Sequence, residues 1–98
     1  IIMNDISVMQ LKSLIPRVKI IDIRDNYQYN LGNIPTSKNI PKNFLLMNSD
    51  LYLNMVDTYY IYCEYGDTSS RVCERLRRKG YNVVNVIGGY NEYKRIWI

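Results

Sequence analysis

Residues 59 to 71 read Tyr-Tyr-Ile-Tyr-Cys-Glu-Tyr-Gly-Asp-Thr-Ser-Ser-Arg. The first four side chains form a short aromatic and β-branched run, the pattern of a strand buried on both faces. Cys63 ends the run, and the six residues from Cys63 to Thr68 turn the chain, with Gly66 supplying backbone freedom. Beyond them the apolar positions take helical spacing. Val72, Cys73, Leu76 and Gly80 mark an inner face, while Arg71, Glu74, Arg75, Arg78 and Lys79 look outward. Strand, loop and helix in that order put a thiol where the amides of a helix N-terminus converge. Such a place favours a negative sulfur, and the thiolate is the form of cysteine that does chemistry.

The same alternation runs in both directions from this stretch. Upstream, Ser7 followed by Gln10 reads as a capping box for a helix from Val8 to Leu14, stopped by Pro16. Val18 to Ile23 reads as a second buried strand leading into Asp22-Ile23-Arg24. Asp25 caps a helix through Leu31, which Gly32 ends. Ile34-Pro35 is a turn, Ser37 to Ile40 an extended piece, and Pro41 the first position of a helix. Phe44 to Met47, then Leu51, Leu53 and Met55, make one helix or two short ones. Downstream, Gly80 ends the long helix, and Asn82 to Ile87 is a strand. Gly88-Gly89 then opens a last helical segment ending near Trp97. Strands alternating with helices at this spacing predict an α/β fold with a mainly parallel central sheet of about five strands and helices on both faces. Ligands of such sheets bind beyond the carboxyl ends of the strands, and Cys63 stands at one of them.

The chain has 98 residues, read as one domain over 1–98, and its 47% hydrophobic content suffices for a core without staples. Two cysteines make no disulfide framework and suit a reducing compartment, so a cytoplasmic location is expected. No stretch has the order of a signal peptide, and no apolar run approaches membrane-spanning length. The chain lacks histidine, which excludes Ser-His-Asp and Cys-His pairs and every histidine-based metal site. Neither a metal nor any other cofactor is expected. The net charge of +4 gathers in Arg71, Arg75, Arg77, Arg78 and Lys79 along one helix. Without a stacking platform or a groove-reading motif beside them, these cations read as a solvated face rather than a nucleic-acid site.

Three blocks of the chain, in order, resemble the rhodanese family. The first is Ile21-Asp22-Ile23-Arg24, with Tyr29, Gly32, Ile34, Pro35, Asn39, Ile40 and Pro41. The second, Tyr62-Cys63-Glu64-Tyr65-Gly66 continuing to Ser69, is similar to the active-site loop Cys-x-x-Gly-x-Arg-Ser. The third is Gly80-Tyr81, Val84 and Gly88-Gly89-Tyr90. Departures accompany them. The family's Gly-His is Gly32-Asn33, its Gly-Ala is Thr36-Ser37, and the tryptophan usual after Gly-Gly is Tyr93 or missing. The loop arginine five residues after the cysteine is Thr68, which removes a cation that would hold a doubly charged donor.

The resemblance implies a rhodanese-like three-layer fold and a sulfurtransferase. Cys63 would take a sulfane sulfur from thiosulfate or a persulfide, become a persulfide, and pass the sulfur to a thiol, cyanide or a sulfur-carrier protein. Glu64, Tyr65, Gly66, Asp67, Thr68 and Ser69 are the candidate substrate-binding residues. Their amides would form an anion nest, with Glu64 and Asp67 turned to solvent, Tyr65 at the mouth, and the Thr68 and Ser69 hydroxyls as donors. Ser69 or Ser70 could instead cap the helix. Arg71, in the first helical turn, is the other source of a cation, although its outward place favours solvent. Asp22 and Arg24 are expected to be a structural pair holding loops near the site, and Gly89 to let the chain pass close to the active loop. Cys73 is expected to pack in the core. Two alternatives stand beside the enzyme: a non-enzymatic persulfide carrier or protein-docking module, and a phosphatase or arsenate reductase of related fold. The last lacks the loop arginine that a phosphoryl transition state needs.

Overall fold

Local signals start most of the helices. The computed structural model describes residues 3–96. Ser7 Oγ accepts from the Gln10 amide and Gln10 Oε1 from the Ser7 amide, each at 3.1 Å, closing the capping box of α1 (Val8–Leu14). Asp25 accepts from the Gln28 amide at 2.8 Å and caps α2 (Asn26–Leu31). Pro41 stands one position earlier than expected. Its ψ of 145° keeps it extended, as the cap of α3 (Lys42–Met47) and not its first residue. Asn48, with φ −133° and ψ 43°, breaks the following apolar stretch, so α4 (Ser49–Tyr52) is a separate short helix. The long helix is α5 (Asp67–Arg78), and Gly80 follows it with φ 101°. The last is α6 (Gly89–Ile96); its expected end near Trp97 lies outside the described residues.

The strands are β1 (Asp5–Ile6), β2 (Lys19–Asp22), β3 (Lys38–Asn39), β4 (Thr58–Tyr62) and β5 (Asn82–Val86). They form one parallel sheet in the order β1-β5-β4-β2-β3. β1 is absent from the sequence reading, since two residues carry no period. Alternate side chains serve two cores. Ile21, Ile61 and Val83 pack with Leu45 of α3 and Val72 and Leu76 of α5 on one face. Ile20, Tyr62, Val84 and Val86 pack with Leu11 of α1 and Tyr93 of α6 on the other. The result is the expected three-layer α/β architecture. Because all strands run the same way, the carboxyl ends of β2, β4 and β5 deliver Arg24, Cys63 and Gly88-Gly89 to one edge.

Arg24 ties that edge together. Its Nε and Nη2 donate to the carboxylate of Asp22, with Nη2–Oδ2 at 2.7 Å, and Asp22 is wholly buried. Nη2 also donates to the Gly32 carbonyl at 2.6 Å, and Nη1 to Glu64 Oε1 at 3.1 Å. The guanidinium lies 4.3 Å from the Tyr90 ring centroid. Burial by itself disfavours its charge, but the hydrogen-bonded carboxylates outweigh burial and raise its pKa. One side chain thus joins β2, the turn after α2, the loop after β4 and α6. Arg24→Met would leave the Asp22 carboxylate buried without its cation, which costs about 3–5 kcal/mol. Urea unfolding monitored by circular dichroism is expected to show that loss; a change below about 1 kcal/mol would mean that the pair does not hold the edge.

Candidate active site

The first turn of α5 begins with amides that have no helical partner. Gly66 is the cap residue and has no side chain to offer. The sulfur of Cys63 fills the place: Sγ accepts from the Gly66 amide at 3.1 Å and from the Ser69 amide at 3.2 Å. Cys63 is 5% exposed, so the sulfur sits just below the surface with both donors aimed at it. Gly66 has φ 94°, a left-handed angle, and a Cβ there would come within 2.7 Å of the Gly88 nitrogen. The turn therefore spans only Cys63 to Gly66, shorter than the sequence suggests, because the helix starts at Asp67.

Several candidates take places other than expected. Ser69 does not cap the helix; its amide serves the sulfur, and its hydroxyl is buried below it. The Cys63 thiol donates to Ser69 Oγ at 3.3 Å, and Ser69 donates in turn to Asn85 Oδ1. Asn85 Nδ2 contacts the Gly66 carbonyl at 3.4 Å and Asp5 Oδ1 at 3.5 Å, which fixes the orientation of its amide. Asn85 is thus a site residue that the sequence reading missed. The signal was present: a polar residue at a buried position within an apolar strand needs a partner.

Glu64 does not turn to solvent. Arg24 has one guanidinium nitrogen left after Asp22 and Gly32, and Glu64 takes it at 3.1 Å, with Lys94 4.0 Å from its other oxygen. Asp67 is exposed, yet its Oδ1 lies 4.0 Å from Cys63 Sγ, so a carboxylate flanks the mouth. Its place in the first turn of α5 explains this, since the helix dipole favours an acid there. Thr68 does not reach the sulfur, and its Oγ1 accepts from Arg71 Nη2 at 3.5 Å. Tyr65 is exposed within the loop.

The chain does pass close at Gly89, as expected. The amides of Tyr90 and Asn91 donate to the carbonyls of Cys63 and Glu64 at 2.9 and 2.8 Å. Gly89 has φ 59°, and a Cβ there would overlap the Cys63 and Glu64 carbonyls. Gly89→Ala is therefore expected to cost more than the about 1 kcal/mol of a left-handed backbone alone, lowering the midpoint of thermal unfolding.

Cys73 lies in the core beside Val72 and Leu76, and burial pushes its thiol up to about 12 from an ordinary 9.0. In the folded protein it keeps its proton where an unfolded chain would lose it. This contribution to stability is whole below pH 9 and is lost as the pH climbs toward 12. Iodoacetamide at about pH 8.5 is expected to label Cys63 alone in the native protein, and both thiols after unfolding. Mass mapping of the peptides reads the difference.

Comparison with known proteins bears out the fold. The family described as "Rhodanese-like domain" matches residues 7–96. The crystal structure of a Staphylococcus saprophyticus protein superposes with a TM-score of 0.87 at 38% identity, over 93% of each chain. The "Adenylyltransferase and sulfurtransferase uba4" of Ogataea parapolymorpha is 34% identical over 77 residues, which are 78% of this chain and 20% of that protein. The "Probable molybdopterin-synthase adenylyltransferase" of Pyropia yezoensis is 28% identical over 98 residues, covering 95% of this chain and 26% of that one. The chain thus spans about a fifth to a quarter of the curated relatives it matches. A family match running from the cap of α1 to the end of α6 identifies the chain as a member of the rhodanese-like domain family.

Proposed function

We propose that the chain transfers sulfane sulfur through a persulfide on Cys63. The observation that carries this reading is the pair of amides, Gly66 and Ser69, bonded to one sulfur. Two N–H donors and the positive end of α5 stabilise charge on that atom without a histidine or a metal. The thiolate attacks the outer sulfur of a donor, the donor's S–S bond breaks, and the donor's remaining sulfur leaves with the electron pair. An acceptor thiolate, cyanide or a sulfur-carrier protein then takes the outer sulfur, and Cys63 returns to its thiolate. The adenylyltransferase names of the two curated relatives favour a carrier protein as one acceptor. Two free thiols suit a reducing, cytoplasmic setting.

In this reading Glu64 through Ser69 are the substrate-binding residues around the sulfur, with Asp22, Arg24 and Gly89 holding the loop in place. No arginine stands inside the loop, so nothing there clamps the oxygens of a phosphoryl or arsenate group. A non-enzymatic carrier is the second reading, and one observation favours it. A nearly covered sulfur with the Asp67 carboxylate 4.0 Å away slows reaction with small anions.

The test is mass analysis of the protein after exposure to thiosulfate and to an organic persulfide. One added sulfur atom on Cys63, absent from Cys63→Ser, is the expected result. No adduct with either donor would refute both readings. Two unit charges 4 Å apart interact by about 1 kcal/mol in water, so Asp67→Asn is expected to speed loading from thiosulfate by about fivefold.

A further inference from the structure

Between α3 and α5, beginning at the first turn of α5, lies a cavity of about 250 Å³. Lys42, Arg71 and Arg75 line it, Thr68 stands at the end nearer Cys63 in the chain, and Leu46 and the buried Val72 supply apolar surface. Thr68, Arg71 and Arg75 follow one another at helical spacing along one side of α5. Among the described residues, no carboxylate lies within ion-pair distance of these three cations. Four other cations are matched, Lys19 by Asp57, Arg24 by Asp22, Arg78 by Glu74 and Arg95 by Glu92, while Arg17, Arg77 and Lys79 donate to carbonyls; what sets Lys42, Arg71 and Arg75 apart is that all three line one cavity. Three unmatched positive groups around one cavity repel one another unless an anion joins them.

Position sets the kind of anion. Thr68 adjoins Ser69, whose amide holds the sulfur, and Arg71 Nη2 reaches back to Thr68 Oγ1. From Thr68 to Arg75 the helix rises by about 10 Å. The charges thus begin a turn away from Cys63 and run outward. The sulfonate of thiosulfate is bonded directly to the sulfur that is transferred, and cannot reach along this stripe. An acid group several bonds from the reacting sulfur can. Leu46 and Val72 offer cover for the methylenes between.

We propose that the Lys42, Arg71 and Arg75 cavity is a specificity subsite for the carboxylate tail of a small organic persulfide. The proposal rests on the persulfide reading of Cys63. In the step it serves, the Cys63 thiolate attacks the outer sulfur of R–S–SH. The Sγ–S bond forms and the donor's S–S bond breaks. The hydrogen stays on the outer sulfur, and RS⁻ departs and takes a proton from water. Cys63 is oxidised as the donor's inner sulfur is reduced, so no other reagent is needed.

A matched pair of donors tests it: the persulfides of 6-mercaptohexanoate and of 6-mercaptohexanol, alike except for the charge. Loading of Cys63, followed by mass, is expected to be about fivefold or more faster with the carboxylate, in line with several partly solvated ion pairs. In Arg71→Glu/Arg75→Glu, on the exposed face of α5, that ratio is expected to fall to one or below. Equal rates in the unaltered protein, or an unchanged ratio in the double variant, would overturn the subsite. Binding is read apart from chemistry on Cys63→Ser. There, 6-mercaptohexanoate but not the alcohol should shift the amide resonances of Thr68, Arg71 and Arg75. Those shifts without any loading of Cys63 by either donor would uphold the subsite and sink the sulfurtransferase reading. Equal shifts with both compounds would sink the subsite.

Discussion

The sulfur of Cys63 does for α5 what a capping side chain does for other helices. Two donors at the start of the helix need acceptors, Gly66 brings none, and Sγ takes both. Much of the site follows from this constraint. The strand must end at residue 63, so that the sulfur faces the helix. Gly66 must take a left-handed angle, so that its own amide turns back to the sulfur. Gly88 must lie against Gly66, and Gly89 under the Cys63 carbonyl, because no Cβ fits at the closest approaches. The ends of β4 and β5 are thereby held together. Backbone groups already in place cost no reorganisation when charge appears on the sulfur.

The side chains around that fixed backbone sort by charge, and position matters more than number. Glu64 is half-buried but tied to Arg24, with Lys94 nearby, so little of its charge bears on the sulfur. Asp67 has no such tie and lies 4.0 Å from Sγ. The cations of the site region that no carboxylate matches, Lys42, Arg71 and Arg75, lie on α3 and the outer side of α5. A small dianion approaching the sulfur meets the carboxylate first. A longer ligand can place its reactive sulfur at the mouth and its charge among the cations. The loss of the loop arginine at position 68 therefore changes where an anion is welcome.

Most of the fold was legible because it rests on local rules. The Ser7–Gln10 box, the Asp25 cap, the β-branched run before Arg24 and the inner face of α5 each have a pattern that one sequence displays. β1 was not legible, since Asp5 and Ile6 find their place only by pairing with Asn85 and Val86, distant in the chain. The site divides in the same way. Cys63, Gly66 and Gly89 could be placed from the strand-loop-helix order and the glycines. The directions of Glu64, Asp67, Thr68 and Ser69 could not. Glu64 is decided by a free nitrogen of Arg24, and Ser69 by Asn85, neither of them near in sequence.

Asn85 bears on the chemistry through the bookkeeping of hydrogens. With Cys63 as a thiol, the chain of donation runs from sulfur to Ser69 and from Ser69 to Asn85. A thiolate has no hydrogen to give. Ser69 Oγ then either faces the anionic sulfur with a lone pair or turns its hydroxyl away from Asn85 and donates to it. The second arrangement gives the sulfur a third donor beside the two amides, while Asn85 keeps its contact with the Gly66 carbonyl through Nδ2. In the proposed persulfide the charge would sit on the outer atom, and Sγ would not need the extra donor. The hydroxyl would then return to Asn85, the arrangement seen in the structure. One buried serine thus suits both forms of the cysteine, because its partner on β5 accepts the hydrogen that the sulfur does not need.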